Sequence, residues 1–535
     1  MAEMTLDQAM KLAEQFKSQS DLAEAENIYR QVLAVAPANA SALNLLGTVV
    51  GERNRPAEAR ELFRQATAAE PNYHDAWTNL SLCCERQDDF DLAVAARRRA
   101  IELKSDWAEH WHRLGVCLAK RGELKEAIVA LRKSREMDGA DEGIAHDLIL
   151  VLCKDHQHQA AEEVAFPPPP GKPVGDATMR ILVDGLKEVD RFEEATEIWR
   201  RTLESDPSRL EARGQWAMCL ITLGDYERGW REYEARWGCA TFENNRRLDP
   251  RRHWGVPPTG HPDVAGKTIL LYSEQGIGDV IQCARYASIF AARGARVIVQ
   301  CPWSLKALLE KCVGVRLVYG DRETLPKYDW HIPVMSLPLA FGTTQRTIPA
   351  DIPYLRADPA RCKSWQARVG SAAAPRSRLR VGLTWAGNPK HKNDPNRSVD
   401  PALLSGLATV DGVDFFSLQK SRKNKKAESP PGLRLIDFTN SLHDFAETAA
   451  LIEQLDLVIS VDTAVAHLAG AMGKPVWTLL SYPPDFRWHM HGDETAWYPT
   501  MRLFRQESNR QWPEVIERIV RELRVQADPS MRPRM

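Results

Sequence analysis

Three short stretches of this 535-residue chain combine residue types that hold anions and sugars. The first is Asp462-Thr463-Ala464-Val465-Ala466-His467, directly after the apolar run Leu457-Val458-Ile459-Ser460-Val461. A β-branched run ending abruptly in Asp-Thr, before a small-residue helical pattern, reads as a buried parallel strand feeding a helix. Ligands collect at that end of an open α/β sheet, and a helix start offers free N–H groups to an anion. Asp462, Thr463 and His467 would then surround a phosphate or a sugar; the alternative is an Asp/Thr helix cap with His467 packed one turn later. The second stretch, Gly276-Ile277-Gly278-Asp279, follows the strand pattern Thr268–Tyr272. Gly276 and Gly278 would let backbone approach a ligand at a first strand-to-helix turn, and Asp279 sits where the helix dipole favours a carboxylate. Ile281 stands where a dinucleotide fingerprint requires its third glycine, so the motif is not that one. The third stretch is the loop Ala386–Ser398, with Lys390, His391, Lys392 and Arg397 among Gly387, Asn388 and other amides. Four basic side chains at a strand's carboxyl end suit a diphosphate, and a solvated loop is the alternative.

The elements that must position these residues form two tandem α/β units. Strands are expected at Thr268–Tyr272, Ala295–Gln300, Val315–Tyr319 and Asp329–Pro333, with helical patterns between them. After the loose segment Ser371–Ser377 a second set follows at Arg380–Trp385, Val413–Leu418, Leu433–Asp437, Leu457–Val461 and Pro475–Leu480. Three polar strand ends in two such units predict a shared cleft. Aromatic loops at Tyr482–Trp488 and Trp497–Pro499 read as core packing or as cleft walls. Trp512-Pro513 opens an amphipathic helix, and disorder is expected from Ala527 onward.

The amino-terminal part is a repeat. Ala25, Ala59, Ala93, Ala127, Ala161 and Ala195 are spaced by 34 residues and Gly229 continues the series. Pro37, Pro71, Pro173 and Pro207 keep the same period, as do Leu12, Leu46, Leu80, Leu114, Leu148 and Leu182. The pattern is the tetratricopeptide one, a helix pair per unit with small residues where the helices meet. Phe166-Pro167-Pro168-Pro169-Pro170-Gly171-Lys172-Pro173 cannot stay helical and is expected to form a stiff elbow, after which the register resumes. Such a solenoid holds a polypeptide or another domain by default, and packing against its own chain is the alternative.

Composition excludes other classes. The formal net charge of −1 gives no basic field for nucleic acid. No run approaches the length of a membrane span, and Met1-Ala2-Glu3-Met4-Thr5-Leu6 lacks the marks of a signal peptide. Ten cysteines without a C-x-x-C pair favour reduced thiols in a cytoplasm over disulfides or a zinc site.

Val461–His467, Gly276–Ile281 and Trp385–Lys390 together resemble bacterial tetratricopeptide proteins carrying a heptosyltransferase-like domain, as does Tyr226–Glu234. In domain order the chain is also similar to the O-GlcNAc transferases, which modify Ser/Thr of proteins. The resemblance implies a tetratricopeptide solenoid (1–240) followed by a GT-B glycosyltransferase module of two Rossmann-like domains. These are an acceptor-side domain (241–375) and a nucleotide-sugar-binding domain (376–535) whose last helix returns to the first. It implies no metal and no cofactor beyond the nucleotide-sugar co-substrate.

Carried over by motif, Asp279 is the expected general base, taking the proton of an attacking hydroxyl. Asp462, Thr463, Ala464 and His467 match the donor-binding Asp-Thr-x-x-x-His pattern, with Asp462 on sugar hydroxyls and His467 on the diphosphate. Lys390, then Arg397, would compensate leaving-group charge. Gly276, Gly278, Gly387 and Asn388 would line the donor, and Gln419 would meet the nucleoside. The asparagine ladder of the O-GlcNAc solenoid is missing, since its track reads Leu45, Asn79, Arg113. The resulting expectation is sugar transfer from a nucleotide-sugar to a protein Ser/Thr hydroxyl, the solenoid recruiting an acceptor such as the bacterial surface protein flagellin. The alternatives are a glycan or lipid-linked acceptor, or a scaffold with an inactive transferase domain.

Overall fold

The computed structural model describes residues 4–167, 173–239, 248–255, 260–374, 378–391, 393–420, 428–507 and 510–528. Within them the chain divides into two compact units, Met1–Leu186 and Lys187–Met535.

The 34-residue period becomes helix pairs in exact register. Leading helices begin at Leu6, Ala40, His74, Ala108, Glu142, Asp176 and Leu210, and their partners at Leu22, Pro56, Phe90, Leu124, His158, Phe192 and Tyr226. The alanine track is wholly buried from Ala25 to Ala195. Small residues are required where paired helices touch: a Cβ on Gly115 would lie 2.5 Å from Leu131 Cγ. Each turn from leading helix to partner passes through one left-handed residue, at Ser20, Asn54, Asp88, Gly122, His156, Asp190 and Gly224. Only two of these are glycine; the others are mostly the short polar types that tolerate the left-handed region. The proline run ends the helix His158–Ala165, and the Val174 N–H donates to the Ala165 carbonyl at 3.1 Å across it. The elbow itself, at 168–172, lies outside the described residues, and the register resumes at Asp176.

The unit Lys187–Met535 holds two parallel sheets, as a GT-B module requires. The first contains β1 (Thr268–Tyr272), β2 (Arg296–Cys301), β3 (Val315–Gly320) and β4 (Trp330–Pro333) in the order β3-β2-β1-β4. The second contains β5 (Leu379–Thr384), β6 (Val413–Ser417), β7 (Leu435–Asp437), β8 (Leu457–Val461), β9 (Val476–Leu480) and β10 (Met501–Arg505) in the order β10-β9-β8-β5-β6-β7. All neighbours pair in parallel. Both orders are doubly wound, and each reverses direction once, between β1 and β4 and between β5 and β8. Ligand crevices of open α/β sheets form outside the strands at that reversal. Helix α1 (Ile277–Cys283) follows β1, and helix α2 (Ala464–Ala471) follows β8.

One continuous core joins the first sheet, one face of the second and the last repeat helices, through Ala217, Ile221, Tyr226, Trp230 and Tyr233. Helix α3 (Trp512–Ala527) departs from expectation. It does not return to the first domain but lays Trp512, Val515, Ile516, Ile519 and Leu523 on the outer face of the second sheet, against Leu379, Val381, Leu404 and Leu407. That face carries Leu383, Ile459 and Leu479, and would otherwise be bare. Strand β10 is not among the expected strands; Met-Arg-Leu-Phe-Arg is a short edge strand just after the aromatic loop Trp497–Pro499. The tail expected to be disordered lies outside the described residues from 529. Among the described residues, no helix is long and apolar enough to cross a membrane.

Candidate active site

The reversal point of the second sheet gathers the residues expected to hold a donor. Thr463 precedes α2 with extended backbone, and no side chain caps the helix. Its hydroxyl pairs instead with Ser460 Oγ at 3.1 Å. The Thr463 side chain therefore does not cap α2, whose first N–H groups have no side-chain acceptor, but His467 does pack one turn later, as the cap alternative has it. Arg397, in the β5 loop, donates to the Asp462 carbonyl at 3.1 Å and to Asp394 Oδ1 at 3.2 Å. Its Nε is buried without a partner among the described residues. Gly387 makes this packing possible, because a Cβ there would collide with the Arg397 guanidinium and lie 2.5 Å from Asp394 Oδ1. Asn388 Oδ1 accepts the Lys390 N–H at 3.1 Å, turning the loop, and both residues are exposed.

Two expected donor contacts are used otherwise. Gln419 is buried, and its Oε1 accepts the Trp385 and Ala386 N–H groups at 3.1 and 2.8 Å. Its Oε1 braces the β5 loop, where the backbone has no strand partner. Gly278 serves a protein neighbour: a Cβ there would meet His467 Cδ2 at 2.9 Å, so the glycine lets α1 lie against α2.

His467 is 4 % exposed. Its ring stacks on Trp488 with centroids 5.3 Å apart, and Nδ1 shares a hydrogen bond with Tyr498 Oη at 3.0 Å. Nε2 lies 3.8 Å from Asp462 Oδ1. Burial, with Arg487 and Arg285 adding to it, pulls its pKa well below the usual value, so the imidazole is neutral. Asp462 is pushed up to about 6 by burial and by the nearby Asp485 carboxylate, against Trp488, Arg487 and Arg397.

Asp279 comes from the other sheet. The Gly276 N–H donates to Asp279 Oδ2 at 2.8 Å, and Arg487 donates through Nη2 to Oδ1. Burial raises this carboxyl's pKa although the guanidinium pulls it down. Arg487 also donates to Asp485 Oδ1 at 2.7 Å and to Gln282 Oε1 at 2.8 Å, and it lies over the Phe486 ring at 4.4 Å. Asp279, Asp485 and Asp462 outweigh burial and hold it charged. Arg487 was not among the expected site residues. Its only signal is an arginine inside the aromatic loop after β9, and its partner Asp279 lies 208 positions earlier.

The last repeat helix holds that loop in place. Tyr226 stacks on His489 at 5.6 Å with its hydroxyl 3.0 Å from Nε2, and Trp230 and Tyr233 pack against Phe486 at 6.2 and 6.1 Å. Arg236, just beyond that helix, is buried with Glu234, Glu274 and Ser336, its Nη2 2.7 Å from Ser336 Oγ and 3.3 Å from Glu274 Oε1. This cluster fills the reversal point of the first sheet.

Residues 441–510 match the model of glycosyltransferase family 9 (heptosyltransferase), and residues 45–106 match a tetratricopeptide repeat model. The chain joins tetratricopeptide repeats to a glycosyltransferase domain. The matched transferase segment contains Asp462, Thr463, Ala464, His467 and Arg487. Among curated proteins the chain is similar to Protein FlbA of Caulobacter vibrioides, at 25 % identity over 338 residues. That match covers 58 % of this chain and 54 % of FlbA, so the chain spans about half the length of that relative. Solved structures similar to it include YrrB, described as a TPR protein with an unusual peptide-binding site (19 % identity, 39 % of this chain, 90 % of that chain, TM-score 0.29). Another is Pseudomonas aeruginosa pilF (17 % identity, 40 % and 96 % coverage, TM-score 0.30).

Proposed function

We propose that this protein transfers a sugar from a nucleotide-sugar to a Ser/Thr hydroxyl of an acceptor protein recruited by its repeats. The observation that carries the reading is the packing of α1 on α2 through Gly278 and His467, which brings Arg487, paired with Asp279 of the first sheet, into the field of Asp462 of the second. Asp279 is positioned to take the acceptor's proton, and Asp462 to accept hydroxyls of the donor sugar. The diphosphate would lie on the open N–H groups of α2, with Arg397 and the exposed Lys390 compensating leaving-group charge in place of a metal. Helical repeats ending directly on the loop that carries Arg487 support an acceptor delivered by the solenoid. A bacterial surface protein such as flagellin would suit that route.

Incubation with a panel of nucleotide-sugars and cell extract, read by intact-protein mass, tests this. A hexose-sized or larger mass shift on an extract protein, unchanged by EDTA and abolished in Asp279→Asn, is expected. Modified glycan with unmodified protein would overturn the acceptor assignment, and no donor turnover would overturn the transferase.

A further inference from the structure

Both oxygens of the Asp279 carboxylate are already engaged: Oδ2 by the Gly276 N–H and Oδ1 by Arg487. Burial raises this carboxyl's pKa and the guanidinium opposes it, so the paired carboxylate is a weaker proton acceptor than the same buried group released from Arg487. In this arrangement the base is therefore occupied. The guanidinium has other anchors, Asp485 Oδ1 at 2.7 Å, Gln282 Oε1 at 2.8 Å and the face of Phe486, so it can turn away from Asp279 without losing its seat. It also stands among several carboxylates, with Arg285 near His467 and Lys390 exposed on the β5 loop. Asp279, Asp485, Asp462 and Asp394 face Arg487 and Arg397, and His467 adds no charge. A diphosphate entering such a cleft needs a cation that can be reassigned to it.

We propose that Arg487 is a latch on the base, paired with Asp279 in the free protein and drawn onto the diphosphate when a donor binds. The latch rests on the glycosyl-transfer reading above. Once released, Asp279 Oδ1 takes the proton of the acceptor hydroxyl as its oxygen bonds to the anomeric carbon. The bond from that carbon to the diphosphate oxygen breaks, and its electron pair leaves on the phosphate, where Arg487 neutralises it. The base then becomes competent only after the donor is in place, which guards against idle proton uptake and orders the two substrates.

Inorganic pyrophosphate can report the competition by calorimetry on the full chain. Because Asp279 and the anion compete for one guanidinium, Asp279→Asn should tighten pyrophosphate binding about tenfold, the order expected for one charge-assisted hydrogen bond. Arg487→Gln should weaken binding, and in Asp279→Asn/Arg487→Gln the gain should vanish. Arg487→Lys keeps the charge, guards against a folding failure in the glutamine variant, and should restore part of the gain. An equal gain with and without Arg487 would mean simple removal of negative charge and would overturn the latch, leaving the transferase reading intact. Failure of well-folded wild-type protein to bind pyrophosphate would also overturn it, while the nucleotide-sugar panel decides the transferase separately. In turnover assays the acidic limb of kcat/KM should move to higher pH in Arg487→Gln, a change that a merely structural arginine would not produce.

Discussion

The two sheets are wound alike, yet their reversal points have opposite fates. Between β1 and β4 the crevice is filled by the chain itself. Glu274, Ser336 and Arg236 form a buried network, burial pushes Glu274 up to about 7, and Asp279 satisfies the start of α1 through the Gly276 N–H. Between β5 and β8 the start of α2 has no side-chain cap, and Arg397 reaches the Asp462 carbonyl with a buried Nε to spare. Topology alone would make both ends ligand sites. Local chemistry differs between them: the filled end contributes a single fixed carboxylate, and the other end keeps helix-start N–H groups that no side chain caps.

The largest test of this division is Asp279→Asn. Removing a general base lowers rates by about 10²- to 10⁴-fold, so kcat should fall in that range while donor binding tightens as Arg487 is freed. A kcat within a few fold of wild type would break the assignment of proton transfer to the filled end. Next in size is Gly387→Ala, whose Cβ would push Arg397 away from Asp462 and Asp394. Overpacking of this kind costs about 1–3 kcal/mol, and the donor KM should rise about tenfold with little change in kcat. An unchanged KM would remove Arg397 from the open end.

A smaller effect should follow pH. Asp462, pushed up to about 6, accepts hydroxyl hydrogen bonds more strongly, and through both oxygens, when ionised. Donor affinity should therefore rise several-fold across roughly pH 5 to 7 and lose this dependence in Asp462→Asn. Stability should move in the opposite sense. The folded pKa exceeds the unfolded one, so the contribution present below the unfolded value is lost as pH rises through about 6. Titration calorimetry and urea unfolding over the same pH range check both signs.

The unequal fates were only partly legible in the residues. Register was the clearest signal, because the buried alanine track tolerates nothing larger and repeats without slippage from Ala25 to Ala195. The left-handed turns at Ser20, Asn54, Asp88, His156 and Asp190 left no such trace, since several short polar types serve there. Strand ends rich in Asp, Thr and Gly mark where the sheets reverse. They could not announce Arg487, whose meaning depends on a loop folding back to a carboxylate 208 positions away. The same non-local contact turned Gly278 from a ligand-facing glycine into a packing one, because its neighbour is His467 of the other sheet. The bracing role of Gln419 is hidden for a related reason: in sequence its amide is a free polar group, while the backbone N–H groups it satisfies lie 33 and 34 residues earlier.

The smallest expected effect bears directly on the open end. A threonine that caps a helix typically costs about 1 kcal/mol when replaced by alanine. Thr463 occupies the cap position of α2, but its hydroxyl faces Ser460, and Ser460 Oγ also donates to the Val461 carbonyl at 2.7 Å. Thr463→Ala should therefore lower unfolding free energy by no more than about 0.5 kcal/mol, because only one weak side-chain pair is lost. Asp21→Ala provides the contrast, since Asp21 accepts the Glu24 N–H at 3.2 Å and should show the ordinary capping loss. Equal losses at the two positions, measured by urea unfolding, would mean that Thr463 caps α2 after all and that its N–H groups are not open to an anion.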